Sequence, residues 1–415
     1  DGEYSLCSTT YRIPSVVCYQ SDAKGAGVPE GTTEAVRRQN LAAVLGILYR
    51  GGPASRSVLS KLTGRNRSTI GSLVTDLVDL GLVTERDPDA SGQVGRPSPV
   101  VAVRPEVTAI AVNPEIDALT VGLVGMDGAV RRVVRHEYDR IPTATEALDI
   151  MSAVISGVRT ELRGLLVLGI GVAVPGQVRT SDGVVRNAPH LDWHDEPLGE
   201  PLAAATGYRV QVANDAALGA LAEHEFGAGR GHSHLIYVNG GASGIGGGVI
   251  TGGALMGGSS GYAGELGHVR VSSSDVTDSA GIRGTLEAEV TRAELMDVLG
   301  LTRADPQEFE AALLADRSPA TRRVVERQLG HLGTAIAAAV NLFNPEVVAL
   351  GGFLAALQAY DPDGLAREVA GSVLVPSLEG VQITPAELGR NLLMIGAAGQ
   401  AFGPVLADPS SVTRP

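Results

Sequence analysis

One short stretch, GELGHVRVSSSDVTDSAGIRGTLEAEV, carries Glu265, His268 and Glu287 among its acid–base side chains. Well upstream, Asn214 and Asp215 form an adjacent amide–carboxylate pair. These residue types support three kinds of chemistry. An imidazole grouped with carboxylates can hold a metal ion. A carboxylate can act as general base toward a hydroxyl that attacks phosphorus. Paired carboxylates can also accept hydrogen bonds from vicinal hydroxyls without any reaction, each charge-assisted bond contributing about 1.5–3 kcal/mol when shielded. The bland alternative is that the same residues are helix caps and surface acids.

The elements around them must hold such a site. YRVQVAND predicts a strand ending at Asn214-Asp215, and AALGALAEHEFGAG a helix leaving that end. In open α/β sheets ligands bind at the carboxyl ends of strands. From Gly240 to Gly267, 13 of 28 residues are glycine, more than turns alone require. That density predicts a backbone approached closely by a ligand or by another segment. VTAIAVNPEIDALTVGLVGMDGAV predicts two strands around a break, EALDIMSAVISGVRTEL an amphipathic helix, and LLVLGIGVAVPG a buried strand ending in a Pro-Gly loop. Strands thus alternate with helices after Pro105, which predicts an α/β body.

The segment before this body has a different pattern. TTEAVRRQNLAAVLGILYRGG predicts a helix with Val36, Leu41, Val44, Leu45 and Leu48 on its apolar stripe. SRSVLSKLTG predicts a short second helix capped by Ser55 and closed at Gly64. NRSTIGSLVTDLVDLG predicts a third, capped by Asn66, with Ile70, Leu73, Val74, Leu77 and Val78 inward. Two helices joined by a tight glycine turn are the helix-turn-helix pattern. LVTERDPDASGQVGRPSPVVAV adds a hairpin, completing a winged helix. Arg56, Arg65, Asn66, Arg67, Ser68, Thr69 and Ser72 are the candidate contacts to bases and phosphates, because a recognition helix enters the major groove by its N-terminal turn. Arg96, in the extended Gly-Arg-Pro of the wing, suits a narrow minor groove.

Totals agree with two functions in one chain. The 415 residues exceed one compact core. The net charge is −13, yet residues 32–105 hold ten Arg or Lys against six Asp or Glu, leaving −17 elsewhere. Only one end therefore suits a polyanion. No run of about 18 uncharged apolar residues is present. The first residues lack a signal-peptide pattern, so a cytoplasmic location is expected. Cys7 and Cys18, the two cysteines, fall in the N-terminal tail, where free thiols are expected rather than a disulfide.

The chain resembles the ROK family, which joins transcriptional repressors and sugar kinases. VRRQNLAAVL, GPASRSVLSKLTG and GQVGRP resemble the winged helix of its regulators. GVAVPGQV, NAPHLDW, VANDAALGAL, GGASGIGGGVI, GYAGELGH and NLFNPEVVALGG resemble the kinase-like body. The order and spacing of these motifs are more specific than any one of them. The resemblance implies an N-terminal winged helix-turn-helix followed by a two-lobed actin-like, ribonuclease H-like body of sugar-kinase type. The expected division is a tail at 1–31, a DNA-binding domain at 32–104, a first lobe at 105–225 completed by 391–405, and a second lobe at 226–390.

The resemblance also assigns roles. Asn214, Asp215, Glu265, His268 and Glu287 match the family's sugar-binding set, with Asp215 in the place of the kinases' general base. Kinases of the family carry an Asp-x-Gly-Gly-Thr phosphate turn where this chain reads NPEID, residues 113–117. Pro114 has no amide proton, glycines are missing, and Glu115 and Asp117 repel phosphate, which argues against catalysis. A zinc site of one histidine and three cysteines is implied next to His268, but Asp278, Ala280 and Thr285 stand at the cysteine positions. No cofactor is therefore expected, although Asp275 or Asp278 could join His268 in a weak site. His190 replaces an asparagine common in the family, which bears on the identity of the sugar. The expected protein is a repressor of operator DNA, a homodimer or homotetramer, that binds a sugar or related effector without phosphorylating it. The alternatives are a sugar kinase and a regulator with a vestigial, non-sugar pocket.

Overall fold

The computed structural model of the chain describes residues 33–86, 99–241 and 244–412. The tail at 1–31, its two cysteines and Arg96 of the wing lie outside the described residues.

The N-terminal segment folds around α1 (Thr33–Gly51), β1 (Ala54–Ser55), α2 (Arg56–Thr63), α3 (Arg67–Asp79), β2 (Val83–Arg86) and β3 (Val100–Val103). Its punctuation follows local chemistry. Ser55 Oγ accepts from Val58 N at the start of α2, and Gly64 ends that helix at φ 68°, where a side chain is disfavoured. Asn66 Oδ1 accepts from Thr69 N at 2.9 Å to start α3. β2 and β3 pair antiparallel from Val83↔Val103 to Arg86↔Val100, with β1 on the other side of β3. Ile70, Leu73, Val74 and Leu77 of α3 are buried, as are Leu41, Val44, Leu45 and Leu48 of α1. Two expected core positions differ: Val36 is 45% and Val78 37% exposed, because each stands at the end of its stripe, beyond the packed elements.

The first half of the body contains β4 (Val107–Pro114), β5 (Ala118–Gly125), β6 (Val130–Glu137), α4 (Ala144–Gly157), β7 (Leu166–Val174), β8 (Gln177–Arg179), β9 (Val184–Ala188), β10 (Trp193–Pro197), α5 (Gly199–Thr206), β11 (Val210–Asn214) and α6 (Asp215–Phe226). Its main sheet has the order β11-β7-β4-β5-β6, with β7 parallel to both β4 and β11. β8, β9 and β10 form a small antiparallel sheet of their own.

The second half runs through β12 (Leu235–Gly241), β13 (Gly244–Thr251), β14 (Ala254–Leu255), α7 (Leu286–Glu289), α8 (Arg292–Val298), α9 (Pro306–Ala315), α10 (Pro319–Phe343), β15 (Val347–Gly352), α11 (Phe353–Tyr360), α12 (Pro362–Ala370), α13 (Val375–Leu378), β16 (Gln382–Pro385) and α14 (Leu392–Ala407). Its sheet has the order β14-β13-β12-β15-β16. Two α/β sheets, each wrapped by helices, make this the sugar-kinase type of body that the resemblance implied.

Two helices tie the halves together. α14 packs across β4 and β7, and α6 packs against both α14 and β12–β13. The glycines of β13 permit the latter: a side-chain carbon on Gly248 would stand 2.5 Å from Ala220 Cβ. The glycine density expected for ligand approach thus serves, at this position, the approach of the chain's own helix. One apolar cluster continues from Leu59 and Ile70 of the winged helix through Tyr49 to Leu221 of α6 and Phe402 of α14. The N-terminal segment and the body consequently share a core.

Candidate effector site

Between the two sheets lies a cleft of about 300 Å³. Asn214, Asp215, Glu265, His268 and Glu287 all line it, so the five separated positions meet. The volume falls in the range of small-molecule sites.

Asp215 is the first residue of α6, and Asn214 is its cap. Asn214 Oδ1 accepts from Ala217 N at 2.9 Å, while its Nδ2 donates to Gly176 O at 3.1 Å and Asp215 Oδ1 at 3.2 Å. Asn214 therefore joins the helix start to the loop after β7. Asp215 Oδ1 also accepts from Ala216 N at 2.7 Å, occupying one of its two oxygens. Asp215 is half-buried in the cleft wall, and this removal from water, with the charges of Glu115 and Glu265, pushes its pKa up to about 7. Burial likewise raises Glu265, opposed by His268 and by a hydrogen bond from Gln177. Glu115 is raised by burial too.

Glu287 is more committed than the sequence suggested. Its Oε1 accepts from Ser279 N at 3.1 Å and Ser279 Oγ at 2.5 Å, and its Oε2 from Ile245 N at 2.9 Å. Gly244, at φ 109°, leaves room for this carboxylate, with which any side chain there would collide. Glu287 thus clamps the loop before α7 onto β13 while still facing the cleft.

His268 donates from Nδ1 to Asp278 Oδ2 at 2.8 Å. Of the two acids considered for this role, Asp278 is the one that joins it. Asp275 instead pairs with Arg283 at 2.9 Å on the surface. The loop is not left loose, since Ser272 and Ser274 both donate to Glu289 as well. Among the described residues no group of three or more His, Cys, Asp or Glu is arranged to hold a metal ion.

His190 also lines the cleft, and its buried Nε2 has no hydrogen-bond partner among the described residues. Reading the sequence missed Gln177, Asn187, Asn239 and Ser279, all of which line the same space. Asn239 could have been found, since it ends an apolar run just before the glycine-rich segment, at a strand terminus. Ser279 could not, because its place depends on the fold of an irregular loop. Among the described residues that line the cleft there is no lysine or arginine.

The nucleic-acid candidates occupy the opposite end of the molecule's chemistry. Arg65, Asn66, Arg67 and Ser68 are exposed at the start of α3, Ser72 is exposed one turn on, and Thr69 is half-buried. Ser68 Oγ donates to the capping Asn66 Oδ1 at 2.8 Å. Arg56 differs from the rest. Its guanidinium grips Glu85 through two bonds of 2.5 Å, which ties α2 to β2 and neutralises its charge.

The ROK family profile matches residues 111–401. A putative xylose repressor of a Caldicellulosiruptor species is 27% identical over 377 residues, covering 86% of this chain and 94% of that one. A glucokinase of Thermotoga maritima is 31% identical over 314 residues, covering 71% of this chain and 97% of the enzyme. Among solved structures, a ROK family transcriptional regulator homologous to E. coli Mlc superimposes with a TM-score of 0.75 at 24% identity, over 90% of this chain and 97% of that one. That likeness shows a shared fold.

Proposed function

The chain belongs to the ROK family, and we propose that it is a DNA-binding transcriptional repressor whose kinase-like body senses a small polyhydroxylated effector without phosphorylating it. The observation that carries this reading is the joint between the two parts. α6 starts in the cleft at Asp215 and spans 12 residues, about 18 Å at 1.5 Å per residue. At its far end Glu225 Oε2 accepts from Tyr49 Oη of α1 at 2.7 Å, in a buried setting. Tyr49 also stands edge-on to Phe226 at 5.1 Å and to Phe402 at 6.1 Å. A ligand that moves the start of α6 therefore pushes on the first helix of the winged segment. A ligand alters operator affinity only if it favours one of two arrangements of this joint over the other.

The chemistry of the cleft supports a neutral, hydroxyl-rich ligand such as an unphosphorylated sugar. Among the described residues that line it, no lysine or arginine offsets the acids, so an anionic sugar phosphate would meet repulsion. The phosphate turn supports sensing over catalysis. Pro114 lacks an amide proton, and Glu115 N is spent on Ala118 O at 2.8 Å. A triphosphate would face Glu115 and Asp117 with no nest of amides. The exposed start of α3, with Arg65 and Arg67, supports operator contact through the major groove. Two or more copies are expected to share a two-fold operator.

Thermal unfolding against monosaccharides, amino sugars and sugar phosphates tests the sensor. At about 100 times its Kd a ligand adds roughly 2.7 kcal/mol to stability. The expected result is a stabilising neutral sugar that is not consumed with ATP. Turnover of ATP with a hexose would replace this reading by a kinase, and no stabilising ligand would leave a vestigial pocket.

A further inference from the structure

The zinc site implied beside His268 does not fit the residues present. Ala280 offers no donor atom, and the Thr285 hydroxyl is itself donated to Asp278 Oδ2 at 2.9 Å. The side chain of Asp278 is fully buried, and both of its oxygens are in use. Oδ1 accepts from Ala280 N at 2.9 Å and Ile282 N at 2.8 Å, while Oδ2 accepts from Thr285 Oγ and from His268 Nδ1. Four bonds thus converge on one carboxylate, from the loop, from the residue capping α7 and from the cleft wall.

We propose that Asp278 stands in for the metal: as a positioning residue it closes the loop over 278–285 and locks the His268 ring so that Nε2 is offered to a ligand hydroxyl. This inference rests on the reading of the cleft as a ligand site, and it adds the group that orients one of its donors. The physical logic is that of a buried carboxylate behind a histidine, which fixes ring orientation and tautomer through Nδ1–H. Burial alone would depress His268. The Asp278 bond and the charges of Glu287, Asp278 and Glu265 outweigh it and hold the imidazole above its ordinary range. With Nδ1–H committed to Asp278, Nε2 is the ring nitrogen left for a ligand in the cleft. A carboxylate hub needs no thiolates and no metal supply, and it makes the loop sensitive to acid rather than to chelators. The same bonds explain why Thr285, in a cysteine position, is wholly buried.

Histidine-labelled protein, followed by NMR titration in wild type and Asp278→Asn, tests this. The Asn variant keeps shape and loses charge. In wild type His268 is expected to titrate above 6.5 and, once neutral, to carry its proton on Nδ1. Asp278→Asn is expected to lower that midpoint, since it removes both the charge and the accepting oxygen that hold it up. It should also weaken any stabilising sugar on the order of 10-fold. Zinc chloride alone, added to wild type, is expected to leave the His268 resonance and the melting temperature unchanged. An Nε2–H tautomer in wild type, an unmoved midpoint in Asp278→Asn, or stoichiometric zinc at His268 would each overturn the hub. If the variant fails to fold, the wild-type tautomer and the zinc titration still decide. A hub confirmed by NMR in a protein that binds no sugar would sink the ligand reading and leave the hub standing.

Discussion

The two ends of α6 both hold carboxyls driven to a pKa of about 7, and they are built to opposite purposes. At the C-terminal end Glu225 is buried, with burial raising it and the Tyr49 hydroxyl and Arg50 pulling it down. Beside it Glu223 accepts from Ala228 N, Glu387 N and Leu388 N, and so pins the chain entering α14. His224 is held neutral, its pKa depressed to about 4 by burial and by Arg50. This end is a closed joint in which both carboxylates have found partners, while the buried Nδ1 of the neutral His224 has none among the described residues. At the N-terminal end Asp215 faces a cleft with other acids and, among the described residues that line it, no lysine or arginine. The difference teaches where stability has been given up: the joint spends its buried charge on connection, and the cleft leaves it for a ligand. Functional sites are where such unmet requirements persist.

The comparison breaks most sharply if Asp215 is removed. Asp215→Ala should cost a stabilising sugar on the order of 100-fold in affinity, since it deletes charge-assisted bonds. Ligand-dependent melting shifts measure this, and full retention of the shift would show that Asp215 is no ligand group. At the other end, Tyr49→Phe leaves Glu225 buried without its donor, at a cost of about 1–3 kcal/mol in folding stability by denaturant titration. The same variant should keep ligand binding while losing much of its influence on DNA. Arg67→Ala, on the exposed start of α3, should weaken operator binding by about 1–3 kcal/mol and relax sequence preference, as read by competition between operator variants. Arg56→Ala should matter less to DNA, because its charge already answers Glu85. Equal losses for Arg56→Ala and Arg67→Ala would contradict that distinction.

The pH dependence sharpens the contrast further. Asp215 binds its proton more tightly folded than unfolded, so its contribution is present at low pH and declines as pH rises from about 4 through about 7. Asp215→Asn removes that loss. The variant should match wild type near pH 4 and become the more stable protein by pH 8, with ligand absent. Comparison of the two denaturation midpoints across pH checks this, and a difference that does not change with pH would remove the buried-charge account.

Much of this was legible in the sequence, for physical reasons. Caps and glycine turns are local, so Ser55, Gly64 and Asn66 marked the helix ends correctly. The stripe of α3 was legible through Leu77, but Val78 depended on how far the neighbouring elements reach. The five cleft residues could be grouped only by resemblance, because they come from the junction of β11 and α6, from an irregular loop and from α7. Sequence could not show that Glu287 spends its oxygens on Ser279 and Ile245, nor that Asp278 collects four donors. Nor could it place Tyr49, an unremarkable helix residue, against Glu225 from 176 positions away. Such contacts depend on how distant elements pack, which no local pattern encodes.

The most direct test of a sensor wired to its DNA-binding segment through α6 is operator affinity, measured with and without a stabilising sugar, in wild type and Tyr49→Phe. The account predicts that sugar changes wild-type affinity at least several-fold and that Tyr49→Phe, still able to bind sugar, loses most of that change. A variant that responds to sugar as wild type does would contradict it.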